Sequence, residues 1–513
     1  MQSISTKQPE QSETDVLVTL PLINASPKIA GADSSNIEQH DHSSKVLVVG
    51  MDSADWDVLG AFFKIGRLPN IQRLIKRGSS FNMRSTVPDM TPPAWTTFVT
   101  GVNPGRHNVY GFFQPFGGSI KLTNVKTRRA PSMWESMNPN CVKLLVNIPM
   151  TNPVTPLNGC MISDSLTSVD QENWVWPQSE KENLINQGYK ACMMSRITDV
   201  KKLDQLLVSS SIRGEAFIGL MDRYDPCFSM IVFSETDWVQ HLFPGDQDSI
   251  LKVYEKVDQF LGRLMERIEQ ECLILVASDH GYGVARKKFL VNNWLIRSGL
   301  LTVRTSNSVR KKIANEAMKG ARFGGRYIFK AIPRSISLKM ATSLPSPSQD
   351  LSSLSGVYHI GWDLGQFLRL HITDDCRERY DEYFEKILNA SQSLIDEKNG
   401  RKPIKRIFKK SELYSGPYIF SAPDFVIELD PLYSGNERIL TASGILLDYK
   451  AGIHRDTGIL VSCWVGTNEP STSERKTIRI SDIAPSILSL MGARPRKTDG
   501  RMIPDIVGDS VHS

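Results

Sequence analysis

KVLVVGMD, Lys45 to Asp52, reads as a buried strand that ends on a carboxylate. Two further runs repeat the design. FSMIVF (Phe228–Phe233) leads to Asp237 and His241, and LILVA (Leu273–Ala277) leads to Asp279-His280. A fourth run, Ile459–Val465, has His454 just before it. Continuous apolar runs of this length predict strands covered on both faces, as in parallel sheets. In an open, mostly parallel sheet, ligands bind outside the carboxyl ends of the strands. Asp52, Asp237, His241, Asp279, His280 and His454 are therefore expected to converge, although about four hundred positions separate the first from the last. Three carboxylates and three imidazoles are the hard and borderline donors that two zinc-like ions take. Thr91, followed by Pro92-Pro93, is available as a nucleophile.

Each signal is ordinary when taken alone. An Asp at a strand end commonly caps a helix, and Ser278-Asp279-His280-Gly281 has the residues of a plain turn. Asp237 and His241, four apart, share a helix face, as many surface pairs do. The combination is more specific, because the chain has nine histidines and three of them fall beside strand ends with an acid nearby.

The remaining sequence sets the frame. At 513 residues, 40% hydrophobic and 23% charged, the chain has the composition of an ordinary globular protein, with room for two domains or one with a large insertion. The net charge of +6 is modest and gives no case for nucleic acid. No apolar run is long enough to span a bilayer. Residues 1–44 are rich in Ser, Gln, Asp and Asn, with only Val16–Ile23 apolar, and read as a disordered leader rather than a signal peptide. Seven cysteines without a CxxC pair predict no disulfide framework, and Cys141, Cys160, Cys227, Cys272 and Cys463 read as small core hydrophobes. A cytoplasmic location is expected on that ground.

From Lys45 the chain alternates strand, loop and helix, which predicts an α/β layer fold. Pro92–Thr100 reads as a helix capped by Thr91 and closed by Gly101, Leu251–Gln270 as an amphipathic helix, and Ile483–Met491 as the last core helix. Residues 304–339 carry ten Lys or Arg against the single acid Glu316. That stretch is either a solvated helical surface or a contact for a polyanionic substrate, a lipid headgroup or a membrane surface. The expected organisation is a leader (1–44), a catalytic core (45–300 and 440–513) and an inserted cap or specificity region (301–439).

The order Asp52, Thr91-Pro92-Pro93 to Thr100-Gly101, Asp237-x-x-Gln240-His241, Ser278-Asp279-His280-Gly281 and Gly452-Ile453-His454 resembles the alkaline phosphatase superfamily. It looks most like the type I phosphodiesterase/nucleotide pyrophosphatase branch and its prokaryotic phosphohydrolase and phosphomutase relatives. Asn103-Pro104-Gly105-Arg106-His107 and Val146-Asn147-Ile148-Pro149 support it, and the likeness runs from about 45 to 505. The resemblance implies an alkaline-phosphatase-like core, a mostly parallel sheet flanked by helices on both faces, with an inserted cap. It implies that Asp52, Thr91, Asp279 and His280 bind one metal ion and that Asp237, His241 and His454 bind another, zinc or manganese. The implied activity is metal-dependent hydrolysis of a small phosphorylated substrate, a phosphodiester or pyrophosphate-type bond, through a phosphothreonine intermediate. A phosphomonoesterase, a phosphotransferase or mutase using the same intermediate, and a non-catalytic scaffold are the alternatives.

The sequence also departs from its relatives. Nucleotide-cleaving members carry an Asn in the loop after the residue matching His107, where this chain has Gly111-Phe112-Phe113, so Asn108 or the backbone N–H of Thr91 is left as oxyanion donor. Sulfatases place Cys or Ser at the nucleophile with Arg four positions on, whereas this chain has Thr91 and Trp95. Trp95 or Phe112 is expected to offer an apolar wall to a second ester group, which favours diesters.

Overall fold

The computed structural model describes residues 45–116, 118–164, 172–190, 202–268, 271–303, 351–361, 363–437, 444–465, 475–493 and 497–507. The expected leader (1–44) and the basic stretch 304–339 lie outside the described residues.

The apolar runs form the middle of a nine-stranded sheet. Its edge-to-edge order is Lys476–Arg479, Ser79–Arg84, Thr457–Val465, Cys272–Ala277, Lys45–Met51, Phe228–Phe233, Lys143–Ile148, Gly159–Ser163 and Val175–Trp176. The five strands from Cys272–Ala277 to Gly159–Ser163 run parallel, and Lys45–Met51 lies between Phe228–Phe233 and Cys272–Ala277. Asp52, Asp237 and Asp279 therefore follow three adjacent strands at one end of the sheet.

Alternation along Lys45–Met51 divides the core. Leu47, Val49 and Met51 pack with Val257, Leu261 and Leu264 of the helix Gln247–Met265 on one face. Val46 and Val48 pack with Trp95, Phe98, Ile483 and Ile487 on the other. Helices thus cover both faces, which is what apolar residues at consecutive strand positions require. The helix expected at Leu251–Gln270 begins four residues earlier, because the Asp246 side chain caps it by accepting from Ser249 N.

Among the described residues three smaller sheets accompany the main one, the smallest being the pair Phe113–Phe116 and Ser119–Leu122. Gly281–Leu290 starts directly after His280 and pairs antiparallel with Leu446–Arg455, with Tyr282 opposite His454. His454, read from the sequence as standing just before the run Ile459–Val465, sits on this strand, and the next strand, Thr457–Val465, belongs to the main sheet. A five-stranded antiparallel sheet (Leu301–Val303, Leu354–His359, Phe367–Ile372, Phe425–Leu429, Ile404–Lys409) has its own core around Leu368, Leu370, Ile387 and Ile427. Among the described residues no helix is long and apolar enough to cross a membrane.

One expectation is corrected outright. Cys141 and Cys227 are joined by a disulfide across a sequence separation of 86. The pairing is invisible to cysteine spacing because it depends on Lys143–Ile148 and Phe228–Phe233 being neighbours in the sheet, with Cys227 N donating to Val142 O. Cys160, Cys272, Cys376 and Cys463 are free and buried. The ground for expecting a reducing cytoplasm, the lack of a disulfide, falls away.

Candidate metal centre

Asp52 leaves its strand with its backbone N–H bonded to Phe233 O, and its own carbonyl accepts from Thr236 Oγ1 at 2.7 Å. These bonds tie the ends of two parallel strands together. Asp237 and His241 lie one turn apart on the helix Glu235–Leu242, so they present to one side. Gln240 anchors that helix by donating to Ser53 O at 3.0 Å. Gly452 lets the strand carrying His454 come close, since a Cβ there would lie 2.5 Å from Gln240 O.

The three histidines are oriented alike. Nδ1 of His241 lies 3.1 Å from Gly452 O, Nδ1 of His454 lies 2.8 Å from Asp89 O, and Nδ1 of His280 lies 3.3 Å from Gly281 O. A backbone carbonyl only accepts, so each Nδ1 carries the proton and each Nε2 turns a lone pair inward. His241 Nε2 and His454 Nε2 are 2.9 Å apart, and both approach Asp237 Oδ1, at 3.1 and 3.4 Å. His280 Nε2 lies 3.1 Å from Asp279 Oδ2, 3.6 Å from Asp52 Oδ1 and 3.4 Å from Thr91 Oγ1. The His280 and His454 rings stack at 3.7 Å between centroids.

Asp52 Oδ1, Asp237 Oδ1 and Asp279 Oδ2 are buried without a hydrogen-bond partner. The centre is thus a cluster of acceptors with no donor facing them. Burying an unpaired carboxylate costs on the order of several kcal/mol, and bound cations reverse that cost. Asp237, His241 and His454 converge closely enough to hold one ion, and Asp52, Asp237 and His280 to hold another. Asp237 belongs to both groups, so it stands between the two positions rather than in one only. The residues present fit a pair of divalent ions.

The titration behaviour follows the same crowding. Burial, reinforced by Asp279 and Asp237, pushes the Asp52 carboxyl well above its usual range. Burial and then Asp237 do the same to Asp279. Burial works against the charge on Asp237, but His241 and His454 outweigh it and hold this carboxyl well below the usual range. Burial pushes His241 toward the neutral ring, yet Asp237 prevails and raises it. Burial and His454 keep His280 neutral.

Thr91 is the first residue of the helix Thr91–Thr100, and Met90, not Thr91, is the N-cap. The two prolines explain the shift. Pro92 and Pro93 have no N–H for a Thr91 side chain to cap, and Ala94 N donates to Met90 O. The Thr91 hydroxyl is left facing His280 Nε2.

Several neighbours take roles that the sequence did not announce. Trp95, expected as an apolar wall, is fully buried and donates Nε1–H to Asp52 Oδ2 at 3.3 Å. One helical turn from Thr91, it orients a carboxylate instead of lining a pocket. Asp89 supplies its backbone oxygen to His454, and burial pushes its own carboxyl up to about 8. The 359–369 segment reaches in as well. Leu364 O accepts from His454 N at 3.0 Å, and the segment is pinned by the buried Asp363–Arg369 ion pair at 2.6 Å. Gly111 leaves the room for the Arg369 guanidinium, which donates to Phe113 O at 2.7 Å. Asn108, considered as an oxyanion donor, instead donates to Thr127 O at 3.3 Å. His107 bonds Thr97 at 2.9 Å and burial keeps it neutral, down to about 3.

Comparison with known proteins gives a family and a fold. The sequence model of the type I phosphodiesterase/nucleotide pyrophosphatase family matches residues 46–339, more than half of the chain. An uncharacterized pyrophosphatase/phosphodiesterase of Schizosaccharomyces pombe is 24% identical over 261 residues, 49% of this chain and 47% of that protein. The chain therefore spans about half the length of the curated relative it matches. Phosphonoacetate hydrolase from Sinorhizobium meliloti 1021 superposes with a TM-score of 0.55 at 14% identity, covering 88% of this chain and 96% of that one. Murine ectonucleotide pyrophosphatase/phosphodiesterase 5 superposes with a TM-score of 0.51 at 12% identity, covering 89% and 97%. At these identities the likeness shows the fold, which is alkaline-phosphatase-like, as expected from the sequence.

Proposed function

The chain belongs to the type I phosphodiesterase/nucleotide pyrophosphatase family, and on that premise we propose that it hydrolyses phosphoester bonds with Thr91 as nucleophile. The observation that carries the reading is the convergence of three imidazole Nε2 atoms on three partnerless carboxylate oxygens, with the Thr91 hydroxyl 3.4 Å from His280 Nε2. Asp52, Thr91, Asp279 and His280 would hold one divalent ion, and Asp237, His241 and His454 the other. Such a pair neutralises phosphoryl oxygens and lowers the pKa of a bound hydroxyl or water. Three imidazoles suit zinc or manganese better than magnesium.

The rest of the chemistry belongs to the chain. Thr91 Oγ1, its proton given up to solvent, attacks phosphorus in line as the ester P–O bond breaks and the alcohol leaves; water then cleaves the phosphothreonine, releasing the phosphorylated product and restoring the Thr91 hydroxyl. The Thr91 N–H, at the start of the helix Thr91–Thr100, would serve as a donor to an equatorial phosphoryl oxygen. Trp95 and Ser53 hold Asp52 and Asp279 in place, Ser53 N donating to Asp279 Oδ1 at 3.3 Å. The backbone carbonyls of Gly452, Asp89 and Gly281 hold the three rings in the ligating tautomer. His241, with a side chain 20% exposed, marks the mouth of an otherwise sealed centre.

Diesters or pyrophosphate-type bonds are the preferred substrates on this reading. Among the described residues, every ion pair made by Asp52, Asp237 and Asp279 is with a histidine, and no Lys or Arg joins them. A monoester dianion needs such a cation more than a diester does. The test compares zinc- or manganese-loaded protein on p-nitrophenyl phosphate and bis(p-nitrophenyl) phosphate. A higher kcat/KM for the diester supports the reading, and no metal-dependent turnover of either compound overturns it.

A further inference from the structure

We propose that Arg369 is a positioning residue for the metal centre: acting through Asp363 and Leu364, it sets the place of His454 and so tunes the ion held by Asp237, His241 and His454. The proposal rests on the two-ion reading given above and adds what holds one half of that centre in shape.

Arg369 stands in the middle of the strand Phe367–Ile372, between Leu368 and Leu370 of the antiparallel sheet's core, and it is fully buried. A charge buried this deeply costs several kcal/mol unless it is paired and hydrogen-bonded. Here the fork of the guanidinium is spread over three segments. Its Nε donates to Asp363 Oδ1 at 2.7 Å, and Nη2 stands 2.6 Å from the same oxygen. Nη2 also donates to Gly361 O at 3.3 Å, and Nη1 donates to Phe113 O at 2.7 Å. The other Asp363 oxygen accepts from the Arg369 backbone N–H at 2.7 Å.

Stability alone does not call for such a pair, since apolar residues of similar volume commonly serve a core as well. The pair instead gives the chain between its two ends one shape. That short loop is the part of the antiparallel sheet region that touches the centre.

The touch is made twice. Leu446–Arg455 is an edge strand of its three-stranded sheet, so the outward N–H of His454 needs an acceptor. Leu364 O supplies it at 3.0 Å. Two residues on, Gln366 N donates to Asp89 Oδ2 at 3.3 Å. Between them a Cβ at Gly365 would lie 2.0 Å from Asp89 Oδ1, so only glycine lets the loop settle there. Asp89 is also the residue whose backbone oxygen accepts from His454 Nδ1. The loop therefore holds His454 directly at the backbone and indirectly at the ring. Asp52, Asp279 and His280 are steadied by other groups, Trp95, Ser53 and Gly281. A disturbance at Arg369 should reach one ion and spare the other.

The test is calorimetric titration of EDTA-treated, full-length protein with zinc chloride, which reads affinity and stoichiometry without any turnover. Arg369→Lys keeps a charge for Asp363 but loses the fork that reaches Phe113 and Gly361. Gly365→Ala leaves the ion pair intact and forces the loop off Asp89. Each should weaken one of two zinc sites at least about tenfold and leave the other within about twofold. Lys410→Ala removes a partner of the buried Asp424, 2.9 Å away in the same region, and controls for lost stability. It should bind zinc as the parent does. Should Arg369→Lys fail to fold, Gly365→Ala decides. Two parental affinities in the folded variants would overturn the proposal, and so would an equal loss in all three, Lys410→Ala included. A parent protein that takes up no zinc would overturn the two-ion reading itself, and this proposal with it.

Discussion

His454 and Asp89 are joined by a hydrogen bond of 2.8 Å from the imidazole Nδ1 to the backbone oxygen. The bond links a ring on the late strand Leu446–Arg455 to a position two residues before Thr91. It sets the tautomer of His454 and couples the place of that ring to the place of the threonine. The half of the centre built by Asp237, His241 and His454 is therefore in mechanical register with the half that holds the nucleophile.

Thr91→Ala should fold and still bind metal through the remaining ligands but lose phosphoester turnover by at least ~10³-fold, since no other hydroxyl stands at that helix start. Thr91→Ser should retain measurable activity. Steady-state rates on bis(p-nitrophenyl) phosphate, with metal content measured beside them, decide it. A Thr91→Ala enzyme near the parental rate would show that the hydroxyl does no chemistry.

Trp95→Phe removes the N–H that holds Asp52 Oδ2 and leaves most of the ring volume in the core. Loss of such an outer hydrogen bond to a ligand typically lowers metal affinity or activity by about 10–100-fold. Competition with a chromophoric chelator should show the drop at a nearly unchanged melting temperature. An unaltered affinity would mean that Asp52 is held by its strand alone.

Metal uptake should release protons. His241 is raised by Asp237 against the effect of burial, and Asp52 and Asp279 are raised by burial itself. Each group must give up its proton to become a ligand, so affinity falls as pH drops through the raised His241 value. Titrations of zinc in buffers of different ionisation enthalpy, between about pH 6 and 8, count those protons. The idea fails if the heats are independent of the buffer.

Asp89 makes a prediction about stability. Its carboxyl lies at about 8 in the folded protein because of burial, against an ordinary value of 3.8. The folded chain thus holds a proton that the unfolded chain gives up, and stability is lost as pH rises from roughly 4 to 8. Above that window the loss is complete and constant. Asp89→Asn should gain on the parent protein in melting temperature as pH goes from 5 to 9. Parallel melting curves for the two proteins would refute it.

Much of the centre was legible because one rule applied. Asp52, Asp237 and Asp279 follow apolar runs that had to be parallel strands, and parallel strands deliver their carboxyl ends to one place. His454 was legible as a residue, but the strand that carries it was not, since Leu446–Arg455 is exposed along its middle and offers no continuous apolar run. Thr91 was read as a cap because the loss of two N–H groups at Pro92 and Pro93 was not followed to its end. Asp89, Leu364 and Gly452 act through backbone atoms, which no side-chain pattern announces. The Asp363–Arg369 pair and the Cys141–Cys227 bond depend on neighbours in space far apart in the chain.

The disulfide has one more consequence. It closes residues 141–227 into a covalent ring, and that ring contains none of the seven metal-centre residues. Asp52 and Thr91 come before it, and Asp237, His241, Asp279, His280 and His454 come after it. A protease cutting the backbone once inside the ring would separate the nucleophile from five of its companions along the chain, yet sulfur would keep both pieces in one molecule. Nicked protein should run as a single band until a reductant is added, with its two half-sites still tethered.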